Sequence, residues 1–178
     1  MADEGDDSVE LAPITFRFEY RRHGWAEASI SDGETTYEMV PSYVPTDPLF
    51  ELVRAVARVL SYGDETGCSW FYEPAADRWL LRRDGDTLTI TIPGVRDGFT
   101  QLHWPTERGE LEFTATCDLW KFAAKVRLAV SRMELPPAEE QDHYHPAWLK
   151  ESAEYRALCA FFEERKARRK ESPGKPRS

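Results

Sequence analysis

PLFELVRAVARVLSY, residues 48–62, carries the pattern that decides the fold of this chain. Its apolar residues recur at steps of three and four, as on one side of an α-helix: Leu49, Leu52, Val53, Val56, Val59 and Leu60. Asp47 is suited to cap this helix, and Pro48 to its first turn, where a missing N–H costs nothing. Because so short a helix is marginal alone in water, its apolar side must pack on another layer.

The segments on both sides of this helix alternate polar and apolar residues, which is typical of half-buried strands. Before it, the pattern predicts strands over 14–20, 25–30 and 35–40. After it, strands are predicted around 68–72 and over 79–83, 87–92 and 110–117, with residues 74–77 as a turn. On the last strand, Glu112, Thr114 and Thr116 are expected to point away from the helices.

Two further helices are predicted, one starting after Asp118 and one running from Pro146 to about Lys170. We therefore predict an α+β domain of about seven antiparallel strands in two meanders. Two helices pack on one face of the sheet, and the third is C-terminal.

The formal net charge of −9 is unevenly distributed. Residues 1–12 are predicted to be a disordered acidic tail, residues 13–162 a single domain, and residues 163–178 a basic tail. Residues 11–162 alone carry −8. Such a body repels phosphate backbones, so we expect no nucleic-acid binding except through the basic residues of 165–177.

Composition also bounds the cellular setting. The apolar runs are too short to span a membrane, and the start lacks the pattern of a secretion signal. The three cysteines are widely spaced and odd in number, which favours a reducing cytoplasm and buried thiols. No motif calls for a cofactor.

His143 and His145 are the nearest approach to a metal motif. Imidazoles two residues apart, with Glu139, Glu140 and Asp142 upstream, can share a zinc ion. The spacing fixes no third ligand, however, and the same residues also suit a polar linker that leads into a helix.

His103 lies in a long predicted connection, residues 93–109, where a catalytic base can sit. The sequence offers no activated nucleophile beside it, and no phosphate-binding loop or metalloprotease motif. Cys68 and Cys117 fall on the apolar side of predicted strands, where thiols are usually inert.

The aromatic residues Trp70, Tyr72, Trp79 and Trp104 suit either a ligand pocket and interface or an ordinary core. Glu112, with the threonines of 87–91 and 114–116, suits either an acidic docking face or a solvated sheet face.

Two stretches, GWAEASISDGETTYEMVPSYVPTDP (24–48) and CDLWKFAAKVRLAVSRM (117–133), resemble small uncharacterised bacterial proteins of actinobacterial type. The resemblance covers about residues 13–133 and implies a fold without an assigned active site. In size and charge only, the chain also resembles immunity proteins that neutralise basic toxins.

These observations predict a non-enzymatic protein that binds a basic protein partner through an acidic surface. The alternative is a small hydrolase or metal-dependent enzyme that uses the 93–109 loop or the His143/His145 linker.

Overall fold

The computed structural model describes residues 11–97, 109–134 and 146–171. The described residues form two antiparallel sheets and three α-helices. The strands are β1 (Thr15–Tyr20), β2 (Ala26–Ser31), β3 (Thr36–Met39), β4 (Glu65–Phe71), β5 (Ala76–Asp84), β6 (Thr87–Val95) and β7 (Glu110–Asp118). The helices are α1 (Pro48–Ser61), α2 (Leu119–Ser131) and α3 (Ala153–Glu171), and a 3₁₀ turn, Pro146–Glu151, precedes α3.

The predicted α+β class and the two meanders are confirmed. Strands β1 to β3 form one sheet and β4 to β7 the other, each in sequence order. The sheets meet at Ser42, which forms isolated bridges to Trp25 and to Phe71. The seven strands are thus divided between two sheets, and within the described chain Ser42 forms the backbone bridges between them.

Helix α1 has the predicted start and the predicted partner. Asp47 Oδ1 accepts a hydrogen bond of 2.9 Å from the Phe50 N–H, and Pro48 occupies the first turn. The apolar side of the helix packs on β4 and β5, and Leu49, Leu52 and Val56 are fully buried. The helix stripe and the strands therefore share one interior.

Helix α2 completes this interior from the β1 side. Asp118 caps it by accepting from the Lys121 N–H at 2.8 Å, and Phe122 and Val126 are fully buried. The ring of Phe16 on β1 lies 6.3 Å from the ring of Phe122 and 6.2 Å from that of Trp79. The core is thus continuous from one sheet to the other.

Helix α3 continues through Glu171, so the basic segment 163–178 begins within a helix. Arg165 places its guanidinium carbon 4.1 Å from the centre of the Trp120 ring and lies 3.5 Å from the Asp86 carboxylate. Arg127 stacks in the same way over Phe162, at 4.9 Å. Arg165, one of the basic residues of this segment, therefore contributes to the packing of α3 against the rest of the domain.

Candidate functional site

Four of the predicted site residues lie outside the described part of the chain. These are His103 and Trp104 of the long connection, and His143 and His145 of the proposed metal motif. The catalytic and metal-binding predictions attached to them stay predictions.

The structure places Trp70 and Trp79 in the core. Both side chains are fully buried, with ring centres 4.7 Å apart, and Phe16 packs against the pair. Neither side chain presents surface to a partner, which matches the core role that the sequence also allowed for them.

The threonine-rich face of the four-stranded sheet has mixed charge. Thr89 pairs with Thr116 and Thr91 with Thr114, as regular alternation requires. Arg82 stands opposite both Thr89 on β6 and Glu65 on β4, so a cation lies in the middle of this face. Asp84 and Asp118 both pair with Thr87 and lie on the same face, so this face carries charges of both signs.

Tyr72 and Glu112 do come together, at the end of the four-stranded sheet that faces β3. They line a cleft of about 680 Å³, here called the Asp77 cleft. Its polar and charged lining consists of Tyr37, Tyr72, Asp77, Arg96, Glu110 and Glu112. A cleft of this size is in the range that holds a small ligand or a short piece of a peptide.

Asp77 is the centre of the cleft and is only 3% exposed. It lies on β5 between Trp70 of β4 and Gly94 of β6. The Tyr37 hydroxyl donates to the carboxylate and lies 3.0 Å from each oxygen, and the Tyr72 hydroxyl donates to Oδ2. Because Tyr37 belongs to β3, this cluster is a second link between the two sheets.

Glu112 reaches the same side of the sheet because β7 is irregular there. The register shifts between Ile92 and Pro93, so that Phe113 pairs with Ile92, Leu111 pairs with Pro93, and Glu112 has no partner across the strand. A proline in an inner strand cannot donate to the ladder and is typically found at such a bulge.

Gly94 makes room for the redirected Glu112 side chain. A Cβ added at Gly94 would lie 2.8 Å from Glu112 Oε1. Gly94 pairs with Asp77, and side chains at paired positions point to the same face, so the Glu112 carboxylate shares the face of Asp77. The expectation that Glu112 points away from the helices with Thr114 and Thr116 is therefore wrong.

The ionisation of the cluster follows from its burial. Burial raises the pKa of Asp77 to about 6; the bonds from Tyr72 and Tyr37 oppose this rise, and the charge of Glu112 adds to it. Burial, followed by the charge of Asp77, also raises the pKa of both tyrosines, so they remain hydrogen-bond donors at neutral pH. Asp77 therefore changes its protonation state near neutral pH, while the Tyr37 and Tyr72 hydroxyls keep their protons.

Sequence reasoning missed Asp77 and Tyr37. The segment 74–77 matches a turn, yet β5 already begins at Ala76, which places Asp77 inside the strand. The available signal was an acidic residue two positions before a buried tryptophan, on the same side of one strand. Nothing in the sequence indicates that Tyr37, 40 residues away, meets it.

A second, larger groove of about 810 Å³ lies between the three-stranded sheet and α2. Phe18, Ala28, Met39 and Met133 contribute apolar surface, while its rim carries both signs of charge. Arg21, beside this rim, bonds Glu19 at 2.8 Å and Glu27 at 2.6 Å. This balanced rim offers less charge selectivity than the Asp77 cleft.

The cysteines have the properties that their positions predict. All three are free; burial raises the pKa of Cys117 to about 12 and raises that of Cys68 as well. Within the described residues, no three metal-ligating side chains are grouped to hold an ion. None of the helices in these same ranges has the length and apolarity to cross a membrane.

Comparison with known proteins leaves the chain without an assigned family. No family model and no curated protein matches it. One chain of a solved structure, the CdiA-CT/CdiI toxin and immunity complex from Enterobacter cloacae, is similar in part. The TM-score is 0.46 at 10% identity, over 66% of this chain and 99% of that one. A TM-score this low establishes no shared fold, so function has to be inferred from the residues of this chain.

Proposed function

We propose that this chain is a non-catalytic binding protein that holds a basic protein partner through its acidic surface, as an inhibitor or immunity protein does. The observation that carries the proposal is the convergence of carboxylates at the Asp77 cleft. Glu110 and Glu112 are exposed on β7, and the buried Asp77 lines the same cleft. Arg96 is the one cationic residue among the described residues that line the cleft.

Charge of one sign in a concave site raises the local concentration of the opposite charge. It also suppresses wrong partners and fixes the orientation of the right one. The remaining acidic body, at −8 over residues 11–162, supplies attraction at longer range. A partner with basic side chains on a convex surface is the complement to this arrangement.

A catalytic use of the cleft is less well supported. A pKa of about 6 suits Asp77 to proton transfer near neutral pH. Its 3% exposure, however, leaves almost no carboxyl surface for a substrate. The alternative of a hydrolase or metal enzyme centred on His103 or on His143 and His145 stays a prediction.

The test is capture of partners from the native host, followed by affinity measurement with the purified partner. We expect the double substitution Glu110→Gln/Glu112→Gln to weaken binding about tenfold or more, because two carboxylates leave the contact. The matched control Glu34→Gln/Glu38→Gln removes two exposed carboxylates from the β2–β3 hairpin and should change affinity by at most about twofold.

Equal weakening by the two double substitutions would mean that only overall charge matters and would remove the cleft from the proposal. Failure to find any partner whose affinity falls with added salt would overturn the proposed function itself.

A further inference from the structure

Asp77 is a buried charge with an unusual set of neighbours. Buried carboxylates in proteins are normally paired with a cation, because hydrogen bonds alone offset only part of the lost hydration. The groups that act on Asp77 are the Tyr37 hydroxyl from β3, the Tyr72 hydroxyl beyond β4 and the Glu112 carboxylate from β7. Two are neutral donors, and the third is a like charge.

The cleft opens beside this carboxylate and adds further negative charge. Glu110 is exposed on its lining, and Arg96, the cation of the described lining, is not among the groups that shift Asp77. Gly94 has no side chain, and the Glu112 carboxyl group occupies the room that a side chain there would need. The site therefore presents three carboxylates and two phenol oxygens, with Arg96 as the one cation among the described residues that line it.

We infer that the Asp77 cleft receives the guanidinium group of one arginine side chain of the partner, which supplies a counter-charge to its carboxylates. This inference rests on the proposed binding function and names the group that is recognised. On entry, the guanidinium remains protonated, and Asp77 gives up its proton to solvent wherever it still carries one.

Guanidinium fits the acceptors better than an ammonium group does. It is planar and presents five N–H donors in fixed directions, so it can bond the exposed Glu110 and Glu112 carboxylates together with a phenol oxygen, with its charge beside the buried Asp77. It is also less strongly hydrated than an ammonium and packs against aromatic rings such as those of the two half-buried tyrosines. A lysine would place one compact charge in a site of about 680 Å³.

Proton release sets the pH dependence of binding. The ionised form of Asp77 attracts the cation, and its pKa of about 6 in the empty protein means that Asp77 is largely protonated at pH 5. Affinity should therefore rise from pH 5 to pH 7 and become level above that. Tyr37 and Tyr72 have raised pKa values and do not titrate in this range.

The experiment uses the full chain and the probe N-acetyl-arginine-methylamide, with the lysine and norleucine analogues for comparison. Titration calorimetry at pH 7 should show the arginine probe binding about fivefold or more tightly than the lysine probe, with no binding of norleucine. Glu112→Gln should weaken arginine binding about tenfold, whereas Glu38→Gln should leave it within about twofold.

The proton linkage is tested by repeating the titration at pH 5 and pH 7. The wild-type chain should lose about fivefold or more of its affinity at pH 5, and Asp77→Asn should show weak binding that hardly changes with pH. Heats measured at pH 6 in two buffers of different ionisation enthalpy should report proton release by the wild-type chain only.

Equal binding of lysine and arginine, or arginine binding unchanged in Glu112→Gln, would overturn the inference. A partner whose affinity depends on Glu110 and Glu112, found without arginine-probe binding, would leave the proposed function standing. Probe binding without any such partner would remove the proposed function and keep the site.

Discussion

Asp47 and Asp77 are two nearly buried aspartates that accept hydrogen bonds from tyrosines, and they differ in what faces their charge. Asp47 is 5% exposed and accepts from Tyr20 at 2.7 Å and from the Phe50 N–H at 2.9 Å. It lies at the N-terminus of α1, where the helix dipole stabilises a negative charge. Asp77 is 3% exposed and has two phenols and a neighbouring glutamate. The first carboxylate caps a helix, whereas the groups that act on the second include no cation.

The largest expected effect is on the stability of the fold, and it comes from replacing Asp47. Asp47→Ala removes the cap of α1 and leaves the buried Tyr20 hydroxyl without this acceptor, so we expect a loss of about 3 kcal/mol in the free energy of unfolding. Asp118→Ala is the control, because Asp118 caps α2 through Lys121 N–H on a more exposed side chain and should cost about 1 kcal/mol. Urea unfolding at pH 7 measures both, and equal losses would contradict the role given to Tyr20.

The substitution Asp77→Asn tests how the buried charge of Asp77 affects stability. A pKa raised above its unfolded value means that the native state holds the proton more tightly than the unfolded chain does. The stability from this group is present below about pH 4 and is lost as pH rises through about 6. Relative to wild type, Asp77→Asn should therefore gain about 2 kcal/mol between pH 4 and pH 7.5.

The control for this pH dependence is Asp84→Asn, which neutralises an exposed aspartate at the end of the same strand. Urea unfolding at the two pH values measures the change. A difference between Asp77→Asn and wild type that does not vary with pH would show that Asp77 already has a counter-charge.

The two aspartates also mark what the sequence reveals and what it does not. Asp47 could be predicted because a cap, a proline and an apolar helical stripe are consecutive in the chain, and the signal is local. Asp77 closely follows Pro74, and this local signal places it in a turn. In the structure, however, β5 begins at Ala76, so Asp77 lies within the strand. Its partner Tyr37 comes from the other sheet, and alternation along a strand contains no information on that contact.

Glu112 was misplaced for a related reason. Alternation assigns side chains to faces only where the register is regular, and the shift opposite Pro93 breaks it. The sequence signal for this register shift is Pro93 in β6, and β7 itself contains none. A proline in a strand that pairs on both sides requires an irregularity in the pairing. The fold could thus be predicted from patterns within segments, whereas the cleft depends on contacts between them.

Gly94→Ala is expected to affect the site more than the fold. The new methyl group would displace the end of the flexible Glu112 side chain, which lies 2.8 Å from the position of the added Cβ. Because that side chain can move, we expect a loss of about 1 kcal/mol or less in stability, but several-fold weaker binding of the partner.

Gly63→Ala is the control for this substitution, since its Cβ would meet its nearest neighbour, the Glu65 carbonyl oxygen, at 3.4 Å and lies outside the cleft. Thermal unfolding and partner affinity measure the two effects. Binding that survives Gly94→Ala intact would mean that the position of Glu112 relative to Asp77 does not matter.

The smallest expected effects are changes in the pKa of Asp77 when Tyr37 or Tyr72 is replaced. Phenylalanine at either position removes a donor to the ionised carboxylate, so the pKa of Asp77 should rise further, by roughly one unit. Tyr72 lowers that pKa more than Tyr37 does, so Tyr72→Phe should give the larger rise when the Asp77 carboxyl carbon is followed by NMR titration. If neither substitution changes the pKa of Asp77, the two phenols do not stabilise its charge. The difference between Asp77 and Asp47 would then come only from the position of Asp47 at a helix N-terminus. If Tyr37→Phe instead gives the larger rise, the link between the sheets holds the charge more strongly than the neighbouring strand does, and cation binding should then depend more on β3 than on β4.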